Sequence, residues 1–223
     1  MNIGNVLSKA FKNIFTKHGF HISLLYFVFF GLPSLALSGV ALQNLTNINP
    51  SFFVFAGIAG ILYFMLSIIA MVGVLRSLYH RELKADYFTD SIGFTGVNLV
   101  ADGILTGIAV LIGFILLIVP GIIAIIALSL SPLYIVLEHD NVIDAIKNSW
   151  TTTKGHWLKI FAVIFIVWAV SLVINIFTAI PDIMASIVGG PTQQVILAIT
   201  TYISIYTSLL QTSAIVELYR ALN

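Results

Sequence analysis

The chain has 223 residues, of which 59% are apolar and 9% charged, and its mean hydropathy is +1.06. A soluble domain carries about 25% charged residues, so this chain cannot face water on all sides and reads as an integral membrane protein. A formal net charge of +1 excludes the basic footprint of a nucleic-acid binder. The absence of cysteine excludes disulfides, thiolate metal sites and a cysteine nucleophile.

Residues 3–15 place Ile3, Val6, Leu7, Ala10, Phe11, Ile14 and Phe15 at helical spacing, with Asn5, Lys9, Lys12 and Asn13 on the other face. The pattern predicts an interfacial helix over 1–18, its lysines turned toward anionic lipid. No charged residue lies between Lys17 and Arg76. One crossing takes about 20 residues, so this run holds two spans, 20–42 and 52–75, joined by the polar turn 43–51. Pro33 should kink the first. Asn44-Leu45-Thr46 matches a glycosylation sequon on the outer side and reads as a chance match. The apolar run after Lys17 is too long for a signal-peptide h-region, so no cleavage is expected.

Residues 76–90 alternate Arg76, Arg81, Glu82, Lys84, Asp86 and Asp90 and read as a solvated connector. A docking surface for another membrane protein is the sharper alternative. The next uncharged run, 103–137, centres on Val119-Pro120-Gly121, a turn signal, and predicts a helical hairpin with spans 98–118 and 121–137. A second amphipathic helix is expected over 141–153, capped by Asp140 or Asn141. Its apolar side is Val142, Ile143, Ile146 and Trp150, and its polar side Asp144 and Lys147. The fifth span is 157–180. A loop with Pro181, Asp182, Gly189, Gly190 and Pro191 follows, then the sixth span, 194–216.

The expected fold is therefore all-α integral membrane, with six transmembrane helices and two cytoplasmic-side amphipathic interfacial helices, as one membrane domain over 1–223. All ten Lys and Arg fall on the side of both termini, and the opposite loops hold only Asp182. The positive-inside rule makes that side cytoplasmic, giving an N-in/C-in protein of the plasma (inner) membrane.

Ala10-Phe11-Lys12-Asn13-Ile14-Phe15-Thr16 aligns with Ala145-Ile146-Lys147-Asn148-Ser149-Trp150-Thr151. Ala, Lys, Asn and Thr recur in place. The match suggests a parallel repeat, interfacial helix plus two spans, at 1–75 and 141–216, with pseudo-twofold symmetry about the membrane normal.

Leu117-Ile118-Val119-Pro120-Gly121, then Pro132-Leu133-Tyr134-Ile135-Val136-Leu137-Glu138, Ala145, Ser149-Trp150 and Lys154-Gly155 form the most distinctive stretch. It resembles the membrane domain found beside glycerophosphodiester phosphodiesterases and the related YciC-like six-span membrane proteins. The resemblance implies a six-span fold. It implies no phosphodiesterase activity, because in those enzymes the reaction belongs to a separate soluble barrel. His80-Arg81-Glu82 is the nearest string to that barrel's His-Arg-Gly motif.

The sequence holds no G-x-S-x-G, H-E-x-x-H or Walker A lysine loop. No catalytic residue, metal site or cofactor is expected, and the protein reads as a non-enzyme. Asp102 is the one carboxylate inside an expected span. It reads as an interfacial residue near a helix start, with a proton or cation site, or an ion pair with Arg76 or Lys84, as alternatives. His18 and His21 have a spacing that could hold a metal, though headgroup-level anchoring is favoured.

Lys12, Lys147, Trp150, Lys154 and Trp157 are the candidates for lipid-headgroup contact. Thr200, Thr201, Ser204, Thr207, Ser208, Gln211 and Thr212 form a polar stripe on the sixth span, facing Ser171, Asn175 and Thr178 on the fifth. The stripe predicts hydrogen bonding between spans five and six. Its alternative is a polar cavity lined by Asn175, Ser204, Ser208 and Gln211. Gly103-x-x-x-Gly107, Ala56-x-x-x-Gly60 and Ser34-x-x-x-Ser38 read as close helix packing. Together these features suggest a non-enzymatic membrane protein with a lipid-binding or membrane-maintenance role and membrane lipids as its partners. The alternatives are a transporter or channel for a neutral or amphiphilic solute, and an accessory subunit docking through 76–90.

Overall fold

The computed structural model describes residues 1–35, 50–89, 93–188 and 190–223. Residues 43–49 of the expected turn, its sequon, Ser38, Asp90 and Gly189 lie outside the described residues. The helices are α1 (Ile3–Ile14), α2 (Lys17–Tyr26) with a π-helical turn (Phe27–Gly31), α3 (Pro50–His80), α4 (Asp86–Thr89), α5 (Phe94–Leu116), α6 (Ile118–Leu128), α7 (Ser131–Leu137), α8 (Val142–Thr153), α9 (Trp157–Val188) and α10 (Gly190–Leu222). Among the described residues there is no strand. Six stretches are long and apolar enough to cross a membrane: Lys17–Leu35, Val54–His80, Phe94–Leu116, Ile118–Leu137, Trp157–Met184 and Thr192–Leu222.

Their number is the six the sequence predicts, but several helix ends differ. α3 runs on to His80, which carries Arg76 into the helix and buries it; its Nε donates to the Val136 carbonyl at 3.2 Å. Arg76 is thus no part of a solvated connector. α9 continues through Pro181 to Val188, so Asp182 sits in a helix rather than a loop. α10 continues to Leu222, which places Glu217 inside the bundle, 2% exposed. Ahead of Pro33, the Leu32 N–H donates to Phe27 O, five residues back. Proline removes a helical hydrogen bond and crowds the preceding turn, and this widened π turn makes the room.

The α5–α6 hairpin turns at Leu117, which is extended at φ −170 and ψ 156, not at Pro120-Gly121. Pro120 falls in the first turn of α6, where a missing N–H needs no partner. The two helices close on glycine: a Cβ on Gly113 would lie 2.8 Å from the Gly121 backbone.

The fourth span is broken at Ser129-Leu130, and α8 repairs the break. The Leu130 N–H donates to Ser149 Oγ at 3.2 Å, and Ser149 Oγ donates to Ala127 O at 2.7 Å. α8 buries Ala145, Ser149 and Thr153, an i, i+4, i+8 stripe of small residues. The expected apolar side is not the docked side: Ile143 is 58% and Trp150 43% exposed. Small residues win because an unpaired backbone group in the break would cost more than an uncovered Ile.

α1 does bury its apolar stripe, through Val6, Ala10 and Ile14, and it packs against α10. The buried core gathers at that end of the bundle, around Val72, Leu78, Leu133, Ile160, Leu209 and Leu218. Toward the other end, Phe55, Ile58, Leu62, Ile115, Leu117, Phe177 and Ile187 are all exposed. That much apolar surface is unfavourable in water; a bilayer covers it.

Candidate functional site

A cavity of about 550 Å³ lies between α5, the α6–α7 pair, α9 and α10. Val110, Ile125, Val167 and Trp168 are among the apolar residues of its wall. Its polar groups come from Asp102, Thr106, Ser129 and Gln211. Asp102 is 3% exposed, buried within the bundle. Ser131 Oγ donates to its Oδ2 at 3.0 Å, and Thr106 Oγ1 to its Oδ1 at 3.5 Å. A carboxylate has about four acceptor sites, so two hydroxyls leave acceptor capacity beside the cavity.

Gly103 and Gly107 line this cavity, and a Cβ on either would meet nothing within 4 Å. The expected close packing at Gly103-x-x-x-Gly107 is therefore not found. The spacing is the same as in a packed helix pair, but here the absent side chains leave volume. Gly60 is equally open.

Of the four residues expected to line a polar cavity, Gln211 lines this one and Asn175, Ser204 and Ser208 do not. Asn175 Nδ2 donates to Ser171 O at 2.8 Å, and Ser204 Oγ to Thr200 O at 2.9 Å. Ser208 Oγ donates to Ser204 O at 3.3 Å. Thr207, Thr212 and Ser171 bond their own helix in the same way. Hydroxyls in a helix readily back-bond to carbonyls three or four residues earlier, so the stripe is mostly satisfied within α10. The cross-helix bond among these groups runs from Thr200 Oγ1 to Asp182 Oδ1 at 2.6 Å.

The headgroup candidates separate into two places. Lys147 pairs with Asp144 at 3.8 Å, both exposed. Lys154 ends α8, and the Trp150 and Trp157 rings meet edge to face at 6.0 Å. Lys12 lies apart from these, on α1. His18 Nε2 contacts Ser77 O at 3.1 Å and His21 Nδ1 contacts Lys17 O at 2.6 Å, so both rings engage backbone carbonyls. In the connector after α3, Lys84 pairs with Glu82 at 2.7 Å. That hydrogen bond holds the Glu82 carboxyl below its usual range and the Lys84 ammonium above its own.

Sequence reasoning missed Glu217. Asn13 Nδ2 donates to it at 2.9 Å, Arg220 donates to the same oxygen, and Arg81 stands at 3.6 Å. Arg220 also donates to the Leu78 and Tyr79 carbonyls, capping the last turn of α3. Arg220 is an i, i+3 neighbour of Glu217 on α10, but Asn13 is 204 residues away and no local pattern links it.

A domain of unknown function, DUF7847, matches residues 1–222. The chain belongs to this family. No curated protein and no solved structure matches the chain. The match for this DUF7847 protein does not reach the phosphodiesterase-associated or YciC-like families that residues 117–157 resemble.

Proposed function

We propose that this DUF7847 protein is a non-enzymatic membrane protein that holds a lipid or similar amphiphile within its bundle. The observation that carries the reading is the Asp102 cavity: apolar walls beside a small polar group, on a scale suited to part of an acyl chain. The tail lies along Val110, Val167 and Trp168, and its polar end meets Asp102 and Gln211. The resemblance of residues 117–157 to membrane domains without chemistry of their own fits this role. So does the one-sided distribution of Lys and Arg, which supports a plasma-membrane protein with both termini cytoplasmic.

Gly107→Leu tests the reading. The new side chain enters open space, and leucine is a better helix former than glycine, so the fold should persist. A phospholipid with a photoactivatable group in its tail should label wild-type peptides containing Val110 and Val167 above the exposed apolar positions. In Gly107→Leu that excess should vanish. Uniform labelling in both proteins would refute the cavity as a lipid site. A solute flux in liposomes that the same variant blocks would instead select a transporter.

A further inference from the structure

The geometry points to a second site, independent of the cavity: a cationic cleft on α1 that binds a phosphate group, carried by a lipid headgroup or by a soluble phosphorylated compound. Lys9, Lys12, Asn13 and Thr16 follow one another at helical spacing down one side of α1 and its end. Opposite them stand Leu78 and Arg81 at the end of α3, with His18 beside them, around a cleft of about 380 Å³.

Three cations converge there. Among the described residues, neither Lys9 nor Lys12 enters an ion pair. Two carboxylates stand nearby and both are engaged: Glu217 by Arg220, by Asn13 and by Arg81 at 3.6 Å, and Glu82 by Lys84 at 2.7 Å. Gathered like charges are unfavourable unless an anion joins them. Arg81 also holds φ 57 just past the end of α3, a left-handed position that favours glycine. An arginine kept there presents a fork of N–H donors to the cleft, and such forks suit phosphate oxygens. The lysine ammonium groups add point charges on the facing wall.

Calorimetry on the full chain in uncharged detergent at low salt tests this, with dioctanoyl phosphatidic acid and glycerol phosphate as probes. Saturable binding of one molecule per chain is expected. It should weaken about tenfold or more in Lys9→Gln with Lys12→Gln, and again in Arg81→Gly. Arg81→Gly relieves the backbone, and Glu217 keeps Arg220, so loss of binding in that variant is not loss of fold. The charge-matched pair Lys84→Gln with Lys159→Gln should bind as wild type. Binding of phosphatidic acid alone makes the ligand a lipid headgroup; comparable binding of glycerol phosphate makes it a soluble compound. No saturable binding of either probe, or equal weakening in the charge-matched pair, would overturn the site. Occupancy of the Asp102 cavity does not enter any of these outcomes.

Discussion

α1 and α8 present the same outline to their surroundings and anchor themselves by different chemistry. In the alignment of residues 10–16 with 145–151, Ala10 and Ala145 are buried, Ile14 and Ser149 are buried, and Lys12 and Lys147 are exposed. Both helices open with an asparagine cap, Asn2 Oδ1 accepting from Gly4 and Asn5 and Asn141 Oδ1 from Ile143 and Asp144. Beneath that shared pattern, α1 is held through Asn13 and the buried Glu217, which pairs with the part-exposed Arg220. α8 is held through neutral hydroxyls that complete a broken span. The charges differ one step earlier: Lys9 aligns with Asp144. In α8 that acid pairs with Lys147; in α1 both lysines keep their charge for the cleft. A shared outline thus hides a difference of charge at a single position.

Breaking the two anchors should have the largest effects. Glu217→Gln removes the buried carboxylate that Asn13, Arg81 and Arg220 share, and we expect a loss of about 3 kcal/mol, read as a lowered thermal midpoint in detergent. Ser149→Ala leaves Ala127 O and Leu130 N–H short of a partner and should cost about 2 kcal/mol by the same measurement. If Ser149→Ala proves the more damaging of the two, the neutral anchor is the stronger and the contrast drawn here reverses.

Exchanging the charge tests the finer half of the comparison. Lys9→Asp gives α1 the acid of α8, and Lys12 should then pair with it. Phosphate-probe binding should fall about tenfold, while stability should shift by no more than about 0.5 kcal/mol. Asp144→Lys makes the reciprocal change. It should raise probe binding by less than about twofold, because an exposed charge alone contributes little and α8 has no counterpart of Arg81 across a cleft.

The six spans were legible because each rests on a long uncharged run, and apolar runs of about 20 residues or more suit helices rather than the shorter strands of a barrel. The ends were not. Arg76, Asp182 and Glu217 stay helical because partners from distant segments, Val136, Thr200 and Asn13, meet their side chains. Of the site, Asp102 was legible as a lone acid in an apolar run. Its cavity was not, because Gly103-x-x-x-Gly107 reads identically whether a helix or a void faces it. The stripe on α10 misled for a related reason: spacing shows which residues share a face, not whether their hydroxyls reach across it or back to their own carbonyls.

The central claim is that the bundle holds an amphiphile in the Asp102 cavity. Native mass spectrometry after gentle detergent extraction tests it most directly, with wild type and Gly107→Leu prepared in parallel. The account predicts a lipid-sized mass retained on the wild-type chain and absent from the variant. A bare wild-type chain, or the same adduct on both proteins, would contradict it.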